Sequence, residues 1–413
     1  MRVLFFEVTI PGRYKNGSFF GGGWQDSLEN AITSNTNIEL GVAFESSDKN
    51  DFEKTIDGIS YFPLFAEYNV FEKFQNKYSF KPSREKILNK AAQVVERFKP
   101  DIIHVFGSEW CFGQIQRYTC VPVIIHMQGS IPAYNNALYP PGYSSLDESA
   151  FNLIHGNLKR LLQIPFERIK AKNWAIQEQQ TLQVVANYMG RTAWDRCIVD
   201  VYHPKANYYS CNEVLRNEFI NSKECWMPLN TKKIIISTTG CSTLWKGLDT
   251  IVKTAKILKN MGVDFCWRIY GDMHHKKYIE WKEDVDFQSL GIELIGPVGP
   301  ERLKDELLKS SVYVHLAYID NSPNSLCEAQ YLGLPVIATY VGGIPSLIAN
   351  HETGILVPAN DPHVIAWQIE NLCNNTDMSA RLGKAGREMA LLRHNQLDII
   401  ANLIKIYADL ING

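Results

Sequence analysis

A chain of 413 residues with 45% hydrophobic and 21% charged residues has the make-up of a globular enzyme and is too long for one ordinary core. Its formal net charge of -2 excludes nucleic acid as an expected partner, and nine cysteines without a Cys-x-x-Cys pair or Cys/His metal spacing exclude a disulfide frame and a zinc site. Reduced thiols, an acid at Glu7 where a leader would be apolar, and no window near about 18 continuous apolar residues lead us to expect a cytoplasmic protein without a membrane span.

In chain order, residues 3–8, 38–44, 101–107, 121–127 and 182–186 are short apolar runs that alternate with helical patterns. That alternation predicts a parallel sheet covered by helices. Gly21, Gly22 and Gly23 follow the first run after a loop and precede a helical pattern from Gln25. Their backbone can approach a ligand and open a helix N-terminus toward it, or form a plain surface loop. His104 and His126 read as packed, hydrogen-bonded residues. Residues 133–174 form an insertion of the N-terminal domain with little strand character, in which Lys159, Arg160, Arg168, Lys170 and Lys172 interleave with Leu161, Leu162, Ile164, Phe166 and Ile169. Two readings stand for this stretch: a helix packed on its own domain with a solvated basic face, or one resting on anionic lipid as a peripheral membrane contact. Arg191, after the fifth run, faces either a ligand beyond the strand's carboxyl end or Asp195 at a helix start.

After a polar stretch over residues 202–229 the pattern restarts, with strands expected at 233–237, 265–271, 292–295, 312–318 and 336–339. Two doubly wound domains follow, at 1–205 and 206–394, and residues 395–413 hold a closing helix. Ligands of such sheets bind beyond the carboxyl ends of the strands, and two facing sheets make a cleft. The densest signal is Asp320-Asn-Ser-Pro-Asn-Ser-Leu-Cys-Glu328. Ser322 is a good N-cap and Pro323 suits the first helical position. The amides of Asn324 and Ser325 then lack intrahelical acceptors and point outward with the positive end of the dipole, which makes an anion site. Glu328 lies about one turn further in and Asp320 just ahead, so the acids can reach groups on either side of a bound diphosphate.

Residues 320–328 resemble the paired-acid signature, Glu/Asp-x7-Glu, of the retaining nucleotide-sugar glycosyltransferases known as group 1 enzymes or glycosyltransferase family 4. The likeness continues through Gly-Leu-Pro-Val-Ile-Ala-Thr at 333–339, Val-Gly-Gly-Ile-Pro-Ser-Leu-Ile at 341–348 and Thr-Gly-Ile-Leu-Val-Pro at 353–358. It covers about half of the chain, from residue 232 on. The resemblance implies an α/β GT-B fold of two facing doubly wound, Rossmann-like domains with an interdomain cleft. The first domain would bind the acceptor, the second the nucleotide sugar, and the last helix would cross back to the first. It implies transfer of a hexose-type sugar, with retention and without metal or other cofactor, from a UDP or GDP sugar to a glycan or lipid-linked acceptor. The product would be a cell-surface polysaccharide, made in the cytoplasm or at the inner face of the membrane.

The family's pattern also implies roles. Asp320 would face hydroxyls of the transferred sugar and Glu328 the ribose. Lys246-Gly247 resembles the family's lysine–glycine pair, whose lysine meets the diphosphate. The arginine usually found five positions earlier is replaced by Cys241, and Arg191 is the candidate substitute. Gln128 stands where many relatives place a histidine near the transferred sugar; glutamine can hydrogen-bond there but cannot titrate. Gly22 and Gly23 match the glycine loop beside the donor phosphates, Gly271 and Val298 the strand ends that hold the base, and Asn324, Ser325 and Leu326 the helix start at the diphosphate. The departures at Cys241 and Gln128 leave two other readings open: a non-catalytic nucleotide-sugar-binding homologue, and a GT-B sugar epimerase.

Overall fold

The computed structural model describes residues 1–15, 23–79, 84–229 and 233–413. They divide into two compact units: Met1–Pro132 with Pro165–Val214 and His394–Gly413, and Ala133–Ile164 with Leu215–Arg393.

The first unit is built on β1 (Arg2–Glu7), β2 (Glu39–Glu45), β3 (Lys54–Ile56), β4 (Ile59–Leu64), β5 (Ile102–Phe106), β6 (Val123–His126), β7 (Asn187–Gly190) and β8 (Asn207–Ser210). Their spatial order is β3-β4-β2-β1-β5-β6-β7-β8, parallel throughout except for the β3–β4 pair. Val3, Leu4, Phe5 and Phe6 are wholly buried, as in a strand covered on both faces. The chain steps from β1 to β2 on one side and later to β5 on the other, so the winding reverses between β1 and β5. The helix Gln396–Asn412 belongs to this unit: the Tyr407 hydroxyl lies 2.6 Å from His104 Nδ1, and Asn402 Nδ2 donates to the Ser210 carbonyl at 2.8 Å.

The second unit holds β9 (Ile234–Thr239), β10 (Phe265–Tyr270), β11 (Ile292–Gly296), β12 (Val312–His315), β13 (Val336–Thr339) and β14 (Ile355–Val357) in the order β11-β10-β9-β12-β13-β14, all parallel. Here the winding reverses between β9 and β12. A reversal parts the connecting helices to opposite faces and leaves a crevice at the carboxyl ends of the two strands.

Three features depart from the sequence reading. Residues 182–186 were expected as a strand but close the helix Leu158–Val184, and the strand is β7. A short apolar run fits a strand or a buried helix end equally, and Glu178, Thr181, Leu182 and Val185 are buried at helical spacing. Residues 133–164, expected in the first domain, join the second unit. Tyr143 and Phe151 pack on Tyr278 there, with ring centroids 5.7 and 5.5 Å apart. The first unit also takes in β8, which lies beyond residue 205.

Candidate functional site

The crevice between β9 and β12 brings Lys246, His315 and Asp320 together. Beyond β9 the chain makes a short turn, Leu244–Lys246, and then Gly247 at φ +78°. A side chain at Gly247 would bring its Cβ within 2.0 Å of the Leu316 carbonyl, so glycine alone lets this turn press against the end of β12. The Tyr318 amide donates to the Trp245 carbonyl at 2.7 Å and fastens the two loops. Lys246 Nζ is thereby set 2.6 Å from Asp320 Oδ2, and His315 Nε2 lies 2.8 Å from the same oxygen. The Asn321 amide takes Oδ1 at 3.0 Å. From the backbone side, Gly343 donates to the Asp320 carbonyl at 3.0 Å, while a Cβ on Gly342, at φ +51°, would stand 1.9 Å from it. Burial opposes charge on Asp320, but the Lys246 ammonium and the His315 hydrogen bond outweigh it and hold the carboxyl far below the usual range.

The helix after Asp320 is Asn324–Leu332, with Pro323 as its N-cap at ψ 114°. This shifts the expected start by one residue: proline's fixed φ suits an extended N-cap as well as a first helical position, and its ψ decides. The Pro323 carbonyl receives the Leu326 amide at 3.0 Å and that of Cys327 at 3.3 Å. Asn324 and Ser325 stand at the first two helical positions, where no intrahelical acceptor precedes them. Ser325 Oγ accepts from Tyr313, whose hydroxyl also lies 2.8 Å from Thr239 Oγ1. The Leu326 side chain is wholly buried, so its part at this helix start is confined to the backbone.

Glu328 is 1% exposed and is gripped by Arg216, whose Nε and Nη2 each lie 2.6 Å from a carboxylate oxygen. Burial raises the Glu328 carboxyl above its usual value, and the Arg216 hydrogen bonds and charge offset only part of that. Arg216 opens the short helix Asn217–Ile220 and sits over the Phe219 ring at 4.9 Å. Sequence reasoning missed it, because residues 202–229 were read only as a polar stretch. Cys241, in the place of the family's arginine, is a buried thiol pushed up to about 12 by burial and so carries no charge. Gly271 and Val298 follow β10 and β11; the Gly271 amide donates to the Gly296 carbonyl at 2.9 Å, and Val298 is half-buried against the Tyr270 and Leu303 core.

The remaining expected residues lie in the first unit. Gln128 Nε2 donates to Glu213 Oε1 at 2.7 Å, and Arg191 Nη1 pairs with Glu213 Oε2. The side chains of Arg191 and Glu213 are 4% and 0% exposed, so the guanidinium's charge is matched within its own unit. Asp195 meets the Arg191 backbone amide at 3.0 Å as it caps the helix Ala193–Tyr202. His126 is buried and held neutral by burial, with His104 and Arg191 adding to the effect; burial pushes His104 down to about 3. Gly23 begins the helix Gly23–Asn35, whereas Gly22 lies outside the described residues.

Residues 227–389 match the family model for glycosyl transferases group 1. D-inositol 3-phosphate glycosyltransferase from Streptomyces avermitilis is 37% identical over 94 residues, 23% of this chain and 20% of that protein. The putative colanic acid biosynthesis glycosyltransferase WcaL from Escherichia coli K12 is 30% identical over 162 residues, 37% of this chain and 39% of its own. This chain thus spans about a fifth of the length of the first of these relatives and about two fifths of the second. Among solved structures, HepE from Anabaena in complex with UDP-glucose superposes with a TM-score of 0.67 over 99% of this chain and 100% of its own, at 11% identity, a likeness of fold. The chain thus has two Rossmann-like sheets of the GT-B kind, and the segment that matches the group 1 glycosyltransferase model is the one that forms the Lys246–Asp320 crevice of the second.

Proposed function

We propose that the chain moves a hexose-type sugar, with retention at its anomeric carbon, from a nucleoside diphosphate sugar to a glycan or glycolipid acceptor in cell-surface polysaccharide synthesis. The observation that carries this reading is the Lys246–Asp320 contact of 2.6 Å beside the start of the helix Asn324–Leu332. It brings a fixed cation, two N-terminal amides and a fixed anion to one crevice. In the proposed step the bond from C1 to the β-phosphate oxygen breaks and the acceptor oxygen bonds C1 on the same face. The acceptor's proton passes to the departing phosphate, so no protein base is required. Lys246 and the amides of Asn324 and Ser325 meet the charge growing on the diphosphate. Asp320 is ionised and therefore only accepts hydrogen bonds, here from sugar hydroxyls. Glu328 accepts from the ribose, while Arg216 keeps it charged and brings a cation to a site where Cys241 offers none.

Gly271 and Val298 would border the base, and Gly22 and Gly23 the donor phosphates. With Lys246 at the leaving group the step is metal-independent, so turnover should persist in a chelator. The UDP-glucose of HepE and the colanic acid role in WcaL's name support a UDP sugar and a polysaccharide product.

A thermal-shift and hydrolysis panel of UDP and GDP sugars tests the reading: one sugar should stabilise the protein and be slowly hydrolysed, and Asp320→Ala and Glu328→Ala should abolish both. No stabilisation by any sugar, or full turnover in both variants, would sink it. The uncharged Cys241 thiol favours a second reading, a binding homologue without catalysis, which predicts binding but no turnover across a broad acceptor set. Interconversion of the nucleotide sugar without acceptor would mark an epimerase.

A further inference from the structure

On either side of the point where the second unit's winding reverses, Thr239 ends β9 and Tyr313 stands in β12 with Ser237 as its partner in the ladder. Tyr313 is wholly buried, and its hydroxyl meets two others. One is Ser325 Oγ, at the second position of the helix Asn324–Leu332, at 2.8 Å; the other is Thr239 Oγ1, also at 2.8 Å. A phenol has one proton to give, and here it goes to Ser325. Toward Thr239 the phenol oxygen can therefore only accept, so the Thr239 hydroxyl donates. The three hydroxyls form a directed chain, Thr239 to Tyr313 to Ser325, with Ser325 as its last member.

Among the described residues Ser325 makes no other side-chain hydrogen bond. Its own proton is left without an acceptor, on a half-buried side chain that leans toward the helix N-terminus as helical side chains do. That is the side on which the amides of Asn324 and Ser325 lack intrahelical acceptors. Burial of the phenol does not require this order, since Thr239 alone could satisfy it. Giving the phenol proton to Ser325 occupies the serine lone pair that faces the core and turns the serine proton outward. It also polarises that proton, because hydrogen bonds in a chain strengthen one another. We propose that the Ser325 hydroxyl is a further donor to a phosphate oxygen of the departing diphosphate, and that Tyr313 is the positioning residue that aims it. The inference rests on the donor-site reading and adds to it a donor that is neither a backbone amide nor a cation.

Steady-state hydrolysis of the UDP and GDP sugars by the full chain tests it, with Ser325→Ala, Ser325→Thr, Tyr313→Phe and the double variant Ser325→Ala with Tyr313→Phe beside the parent. Ser325→Ala should lower kcat about 10- to 100-fold, the range of one hydrogen bond to a charged group, with KM little changed. Ser325→Thr restores a hydroxyl and should recover most of that loss. Tyr313→Phe keeps the ring and should lower kcat severalfold on the parent but not on the Ser325→Ala background, because it acts only through that hydroxyl. A purely structural Tyr313 would lower the melting temperature and cut the rate alike on both backgrounds. A parent that binds and turns over none of these sugars would sink the donor-site reading and this inference with it. A parent that turns one over while Ser325→Ala keeps its kcat, or while Tyr313→Phe costs the same on both backgrounds, would overturn this inference alone.

Discussion

Beside the two points where the winding reverses, the buried carboxylates Glu7 and Glu178 of the first unit and Asp320 of the second are in opposite electrostatic states. Glu7 ends β1 and is raised well above its usual value, chiefly by burial and then by Glu29. Glu178 of the same unit, wholly buried, is pushed up to about 8 by burial and by Glu109. Asp320 is also buried, yet it stays ionised. The difference lies in the neighbours: Glu7 and Glu178 face other acids, whereas Asp320 meets an ammonium and an imidazole within hydrogen-bond reach. Burial alone neutralises a carboxyl, and only a placed cation keeps the charge a phosphate-leaving reaction can use.

Arg216 offers the largest test of that contrast. Arg216→Ala would leave Glu328 buried without its partner, and a carboxylate stripped of a buried ion-pair partner costs about 3–5 kcal/mol. Urea unfolding should show that loss, and adding Glu328→Gln should recover most of it. A loss below about 1 kcal/mol, the range of an exposed pair, would mean that Glu328 is not held charged. Next in size, Lys246→Ala should lower kcat by about 10²–10³, the cost of removing one preorganised stabilising group. A drop confined to KM would move Lys246 out of the bond-breaking step.

A smaller effect should appear in pH. Glu178 has a folded pKa above its unfolded one, so its contribution to stability is present in full below about pH 4.3 and is lost as pH rises toward 8. Asp320 has the opposite sign: its contribution is present above the unfolded value and is lost on acidification. Glu178→Gln should therefore flatten the fall in stability, followed by melting temperature, between mildly acidic and weakly basic pH, by on the order of 2 kcal/mol across the window. Gln can keep both contacts, accepting the Ile131 amide and donating to Ser108. An unchanged slope would show that Glu178 is ionised in the folded chain, and it would then be like Asp320.

What was legible in the sequence follows from range. Asp320, Glu328 and the helix between them are a local pattern, and the strands at 312–318 and 336–339 flank it within a few residues. Arg216 reaches Glu328 across 112 positions from a stretch with no period, so nothing local announces the pair. The docking of residues 133–164 on the second unit has the same cause: Tyr143 and Tyr278 look like ordinary core aromatics until the fold joins them. One miss was avoidable. Asp57 and Gly58, both at positive φ, make the tight turn between β3 and β4, and an Asp-Gly pair between β-rich runs is a strong hairpin signal.

The smallest expected effect bears on Gln128. Its amide donates to Glu213, which Arg191 also pairs. Gln128→Ala would leave Glu213 its guanidinium, so the stability cost should be about 1–2 kcal/mol, below that of Arg216→Ala. In the proposed roles the first unit receives acceptor, and the charge of the departing diphosphate is met at the second. Gln128→Ala should then raise the acceptor KM severalfold with kcat nearly unchanged, the mark of binding shared by ground and transition states. If kcat falls instead at constant KM, Gln128 touches the sugar as the bond breaks, and the catalytic burden cannot be assigned to the second unit alone.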